Sequence, residues 1–427
     1  MKLFKQTAMA LACSFCLTTT QATSQIDYEI QPYVDVMLGI FHSEKSYANP
    51  EDTHPEKTWQ ELGAKYGLKG SASFDQHTLY GSVIAMSTGT FGDGDASNVT
   101  NGHERRTNLG EWSLGFKDTP AQKEYSRYDI SVGRQNIIIG DGFMVSGDAV
   151  NLGEAVADGA LDRGGAYYLA TRKAFDFTTA LKYRPWEDLT TGLYYLKSDN
   201  KAQYSTEMLV ADAIYQQEKF GVGGTYLDIL DLEDAFQETG RQHLKNYALR
   251  GNYALNPDLQ LKAEVVYQDN ARSNENAGYV ALNYNLPNSA YQTAVGYRFS
   301  HYSKDYDPMF YGNTVGIGGW VQGEVAGNYA GPNNRNANVH QVSFSMSPKE
   351  NLMLGAFVYK FDSIKKSQEN LSAYELDFYS VWSANKHINV IPLIGFYKPK
   401  KDIQTGGSQF PDHQLNTYTQ LLLQYTY

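Results

Sequence analysis

Between residues 27 and 41 the chain alternates. Tyr28, Ile30, Val34, Val36, Leu38 and Ile40 share one parity, and Asp27, Glu29, Gln31, Tyr33 and Asp35 share the other. A period of two predicts a strand with one apolar and one polar face. The pattern recurs at 112–116, 259–267 and 291–299, and at the C-terminus, where Leu421, Leu423, Tyr425 and Tyr427 face one way. In all it predicts about 18 strands, starting near residues 27, 58, 77, 107, 124, 166, 189, 205, 219, 243, 259, 277, 290, 338, 351, 371, 388 and 414. Residues 165–184 fit either one long strand or an inner hairpin followed by a shorter strand. One strand is preferred, because it keeps the number even, as a barrel with both ends on one side requires.

The connections alternate in length. Short ones with turn chemistry fall at 75–76, 184–188, 256–258, 287–289, 347–350 and 384–386. Long polar ones fall at 42–57, 90–106, 136–164 and 302–336. This is the layout of an all-β, up-and-down transmembrane barrel, with tight periplasmic turns and long extracellular loops. The physics is restrictive: in hydrocarbon every backbone N–H and C=O needs an internal partner, and a closed sheet is the only β arrangement that supplies one. The apolar parity then faces lipid and lipopolysaccharide, and the polar parity faces the lumen. Tyr28, Tyr66, Tyr128, Tyr253, Tyr267, Tyr291, Tyr297 and Tyr425 suit interfacial girdles. The terminal Tyr427, after alternating apolar residues, resembles the signal read by the barrel-assembly machinery, although phenylalanine is commoner there.

Composition narrows the picture. Of 427 residues 33 are tyrosine and 38 glycine, charged residues make up 19%, net charge is −11 and mean hydropathy is −0.47. No internal apolar run is long enough for a helical span. The acidic balance argues against nucleic acid, whose phosphates demand clustered Lys and Arg. Lys2 and Lys5, an apolar run and the small residues around Ala22 read as a bacterial secretory signal over 1–24, leaving 25–427 as a single barrel. Cys13 and Cys16 lie in the signal, so the mature barrel has no thiol chemistry. The histidines show no zinc spacing, and nothing identifies a Ser-His-Asp triad, so no cofactor and no enzyme activity is expected. Gly92-Asp-Gly-Asp-Ala-Ser97 hints at calcium but lacks the distal glutamate; it and the acids Asp141, Asp148, Glu154 and Asp158 are better read as loop acids.

Parity assigns the lumen side chains. Lys65, Lys69, Lys117, Arg127, Arg250, Lys262 and Arg298 form the basic set; Glu29, Asp35, Glu111, Asp129, Glu264, Glu375 and Asp377 form the acidic set. Mixed signs decide neither cation nor anion preference, and many can pair across strands. The loop 136–164 is glycine-rich and partly apolar, so it should pack inside the barrel and narrow it. Arg134 enters it and Arg163 leaves it. Two roles fit these guanidiniums: bidentate binding of a solute carboxylate, or pinning of the loop to wall acids such as Asp129.

Val132-Gly-Arg-Gln135, Gly140-Asp-Gly-Phe143 and Leu161-Asp-Arg-Gly164, with Tyr306-Asp-Pro-Met-Phe310, Gly319-Trp320, Asn338-Val-His-Gln-Val342 and Leu352-Met-Leu-Gly-Ala-Phe357, resemble the alginate-export family of outer-membrane barrels. The resemblance covers roughly 125–165 and 300–360. It implies an 18-stranded monomeric channel with an inward loop and arginines lining a path for anionic polysaccharide. Arg134 and Arg163 sit on the matching motifs; Arg127 and Arg298 are assigned by parity alone. The many lumen acids depart from a strongly electropositive channel. The expected function is passive translocation of polar, anionic carbohydrate, alginate-type polysaccharide or oligosaccharide. The alternatives are a general or small-solute diffusion porin and a barrel enzyme or adhesin. A TonB-driven receptor would need an N-terminal plug ahead of the first strand.

Overall fold

Apolar alternation becomes a closed wall. In the computed structural model eighteen antiparallel strands form one sheet: β1 (Asp27–Ser43), β2 (Lys57–Phe74), β3 (His77–Gly92), β4 (Arg105–Asp118), β5 (Tyr128–Arg134), β6 (Phe177–Trp186), β7 (Leu189–Lys197), β8 (Glu207–Gln216), β9 (Phe220–Asp231), β10 (Lys245–Asn256), β11 (Leu259–Asp269), β12 (Asn274–Asn285), β13 (Ala294–Tyr302), β14 (Ala337–Lys349), β15 (Leu352–Ser363), β16 (Ala373–Asn385), β17 (Ile388–Pro399) and β18 (Asn416–Thr426). The structure describes residues 26–427 apart from 48–55, 119, 121–124, 157–158, 234–239, 271, 313–322 and 411. The signal segment 1–24, Asp158 and the Gly319-Trp320 motif lie outside the described residues.

Each strand pairs with its sequence neighbour, and β1 also pairs with β18, from Asp35 opposite Thr426 to Ser43 opposite Tyr418. The terminal residue helps seal that seam: Tyr427 N–H donates to the Val34 carbonyl at 2.9 Å. Closure leaves no unpaired strand edge. Short turns gather at one end with the chain's β termini, and long connections gather at the other.

The outer face is apolar. Ile30, Leu68, Val83, Leu114, Leu249, Val265, Val342 and Val358 are all exposed on it. A water-soluble chain rarely shows so much contiguous apolar surface, whereas hydrocarbon requires it. Tyr28, Tyr253, Tyr267 and Tyr425 are exposed towards strand ends, but Tyr66 falls in the middle of β2 and Tyr297 in the middle of β13, away from a girdle.

Two expectations need correction. The sixth strand begins at Phe177, not near 166. Gly164, Gly165, Ala166 and Ala170 take φ of +94°, +67°, +55° and +44°, which no strand can accommodate. The Tyr168 and Leu169 N–H groups donate to the Glu61 carboxylate instead of to a strand neighbour. The even number survives because the shortened β6 still pairs with β5 and β7.

The inner parity, in turn, is not polar throughout. Towards the long-loop end it carries Phe41, Trp59, Leu196, Met208, Val210, Leu227 and Ile229, all buried. Long connections fold into that end, and the wall facing them is apolar so that they can pack.

Candidate functional site: the inward loop

The connection between β5 and β6 enters the lumen in two arms. The first is a small hairpin in which Ile139 N–H donates to the Val145 carbonyl at 3.0 Å and Gly142 N–H to the Ile139 carbonyl at 3.0 Å. Its side chains Ile137, Ile139, Phe143, Met144 and Val145 are buried. The Phe143 ring stacks on Tyr302 of β13 with centroids 5.8 Å apart. Burying each such side chain contributes about 1.5–3 kcal/mol, against about 1–2 kcal/mol to order each backbone residue. A purely polar loop would have no comparable reason to enter.

The second arm runs back along the opposite wall. Tyr168 sits edge-on to Trp59 at 4.9 Å and tilted against Phe41 at 5.5 Å. Gly63 of β2 makes room for Thr171: a Cβ there would lie 1.9 Å from its hydroxyl. A third segment joins them, the β13–β14 connection, whose Tyr329 hydroxyl lies 2.7 Å from Ser43 of β1 and accepts from Asn416 of β18 at 3.0 Å.

At the base of the loop the charges converge on Asp199, in the β7–β8 connection. Its carboxylate lies 2.6 Å from Arg134, 3.2 Å from Arg163 and 2.5 Å from Arg172. Arg134 also pairs with Asp176 at 2.9 Å, and Arg163 with Asp148 at 3.0 Å. Asp148 is fully buried and accepts further bonds from Ser198 Oγ at 2.8 Å and Asn200 Nδ2 at 2.9 Å. Burial alone would raise the Asp199 pKa, but the guanidiniums of Arg163, Arg172 and Arg134 outweigh it and hold the carboxyl below its ordinary value. Arg172 is brought down to about 10, by burial first and then by Arg163, with Asp199 opposing. Three arginines and three aspartates balance, so the base is a clamp without net charge.

The tip of the first arm reaches the far wall. Asp141 accepts from the Tyr279 hydroxyl of β12 at 2.9 Å and lies 3.9 Å from Lys262 Nζ of β11. Gly140, at φ +57°, presses on Arg250 of β10; a Cβ there would come 3.1 Å from the guanidinium. Arg250 is held by Asp212 at 2.7 and 2.9 Å and by Thr225 at 2.6 Å. A cavity of about 320 Å³ opens on one side of Asp141, lined by Lys262, Tyr279, Asn283, Arg298 and Gln341; a second, of about 160 Å³, includes Arg250 and Asn252.

The remaining expected residues fall elsewhere. Lys65 and Glu111 form an ion pair at 2.5 Å. Lys69 lies over the Tyr33 ring at 3.8 Å and lines a cavity of about 300 Å³ with Glu29 and Tyr80. Asp129 accepts from the Tyr80 hydroxyl at 2.5 Å, and among the described residues it is Asp199, Asp148 and Asp176 that pin the loop's arginines. Arg127 stands at the short-turn rim, half exposed and bonded to Asp118 at 3.1 Å, at the opposite end of β5 from Arg134 and the inward loop. Arg172, Asp176 and Asp199 were not singled out by sequence. Arg172 and Asp176 lie in the stretch read as strand, and Asp199 in a short polar connection, where a charged residue carries no signal. Asp141 and Asp148, weighed only against calcium, are counter-ions of the loop.

The chain is similar to a BenF-like porin from Pseudomonas fluorescens Pf-5, with 11% identity, a TM-score of 0.60 and coverage of 93% of this chain and 98% of that one. It is similar to OccK5 (OpdH) of Pseudomonas aeruginosa at 9% identity and a TM-score of 0.59, covering 92% and 97%. Acinetobacter baumannii OccAB3 gives 12% identity and a TM-score of 0.55, covering 93% and 99%. No protein-family model and no curated protein matches. At such identities the likeness establishes the fold alone: a closed 18-stranded barrel, similar in architecture to the Occ and BenF-like porins.

Proposed function

We propose that the chain is a passive outer-membrane channel for polar, anionic carbohydrate, of the alginate-type oligosaccharide or polysaccharide class. The observation that carries this reading is the inward loop: it narrows the lumen of an apolar-skinned barrel, yet leaves a cavity of about 320 Å³ beside its tip with Lys262 and Arg298 on the wall. A loop that merely sealed the barrel would have no use for cations facing residual space. We read the barrel as a monomer, its sheet completed within one chain by the pairing of β1 with β18. It sits among outer-membrane lipid and lipopolysaccharide after removal of residues 1–24, inserted by the barrel-assembly machinery through the strand ending in Thr426 and Tyr427.

A second reading, a general small-solute diffusion porin, draws on the charge balance at the base, which offers no ring of one sign. Planar-bilayer recording separates the two. The anionic-carbohydrate reading expects ohmic conductance in salt and block by trigalacturonate at concentrations where maltotriose has no effect. Equal insensitivity to both sugars leaves the diffusion porin; no conductance at all rejects both.

A further inference from the structure

We propose that the wall beside the loop tip is a binding subsite for a solute carboxylate, and that Asp141 is its tethered occupant, displaced when an anionic sugar binds. The inference rests on the channel reading for the origin of the solute, but the binding it describes is measurable without conduction.

Asp141 already shows what the site accepts. Its carboxylate takes a hydrogen bond from the Tyr279 hydroxyl at 2.9 Å and faces the Lys262 ammonium at 3.9 Å. A uronate carboxylate has the same charge, the same two oxygens and the same size. The hold on Asp141 is loose: its side chain is 48% exposed and that of Lys262 is 41% exposed. Space for a sugar ring adjoins it, in cavities of about 320 and 160 Å³ that both include Asp141, Lys262 and Tyr279. Arg298 on β13, nine-tenths buried, shares the larger cavity and adds a second positive charge on the wall.

Charge bookkeeping favours an anion over a neutral sugar. When Asp141 leaves, the Lys262 ammonium loses its counter-charge; a carboxylate restores it, whereas a hydroxyl-only sugar does not. The tether makes Asp141 a standing competitor at high effective concentration, so only a solute that offers a carboxylate plus contacts of its own displaces it. Lys262 and Tyr279 hold the ligand, and Asp141 sets the threshold for entry.

The test is calorimetric titration of the refolded, detergent-solubilised barrel with trigalacturonate and with maltotriose. Asp141→Asn removes the competitor's charge at an exposed tip and leaves the barrel wall untouched. It should tighten trigalacturonate binding about tenfold and change maltotriose binding less than twofold. Lys262→Gln should weaken trigalacturonate binding by about the same factor. Circular dichroism and heat-modifiable gel mobility confirm that each variant is folded. The proposal is overturned if Asp141→Asn leaves trigalacturonate binding unchanged or weaker, if neither chain binds it, or if both sugars tighten equally. Loss of conductance with these binding results intact would sink the channel reading and spare the subsite.

Discussion

The two ends of the inward loop use the same chemistry to opposite effect. At the base one carboxylate, Asp199, holds three guanidiniums, and a second, Asp148, is sealed from solvent against Arg163. At the tip a single carboxylate rests on one hydroxyl and a distant ammonium, with water at hand. Charge-assisted contacts strengthen with desolvation and multiplicity and weaken with exposure. The base therefore fixes where the loop lies, whereas the tip, in the proposed channel, is the part that a solute meets.

Breaking the base should cost most. Arg163→Gln leaves Asp148 buried without its cation, and stability to denaturant in detergent should fall by about 3 kcal/mol. The freed loop should raise single-channel conductance and expose residues 144–165 to protease. Asp199→Asn leaves three guanidiniums facing one another, but Asp199 is partly exposed, so the loss should be smaller, about 1–2 kcal/mol.

Acid offers a milder version of the same cut. A carboxyl whose folded pKa is depressed adds stability that is present above the unfolded value and lost as pH falls through the folded one. For Asp199 the clamp should thus be intact at pH 5 and weaken only below the ordinary aspartate value of about 4. Conductance that jumps between pH 7 and pH 5 would contradict this. The smallest stability effect belongs to the tip: Asp141→Asn should change unfolding free energy by less than about 0.5 kcal/mol, while shifting reversal potential in a salt gradient towards anions. Arg127→Gln, at the rim and away from the loop tip, should leave the reversal potential unchanged.

Most of the barrel was legible because a two-residue period is a local signal. Strand starts at Asp27, His77, Leu189, Leu259 and Ile388 fall where alternation places them. Residues 165–176 defeated it because their apolar side chains serve loop packing, and apolar spacing does not say whether the partner is lipid or another segment. Ala166 and Ala170 at positive φ give no warning in composition. At the site, Arg134 and Arg163 stood out in the sequence because they flank a long glycine-rich loop. Their acids were not, because pairing between residues as distant as 134 and 199 is a product of the fold. The inward apolar wall at Leu196, Met208 and Leu227 was missed for a related reason: a lumen filled by its own loops inverts the rule that the pore face is polar.

The central claim is that a clamped loop narrows a water-filled lumen. Single-channel conductance of the wild-type chain and Arg163→Gln, recorded side by side in planar bilayers at neutral pH, tests it most directly. The account predicts small, steady openings for the wild type and distinctly larger ones for the variant. Identical conductance in the two, with both chains folded, would show that the loop does not set the bore.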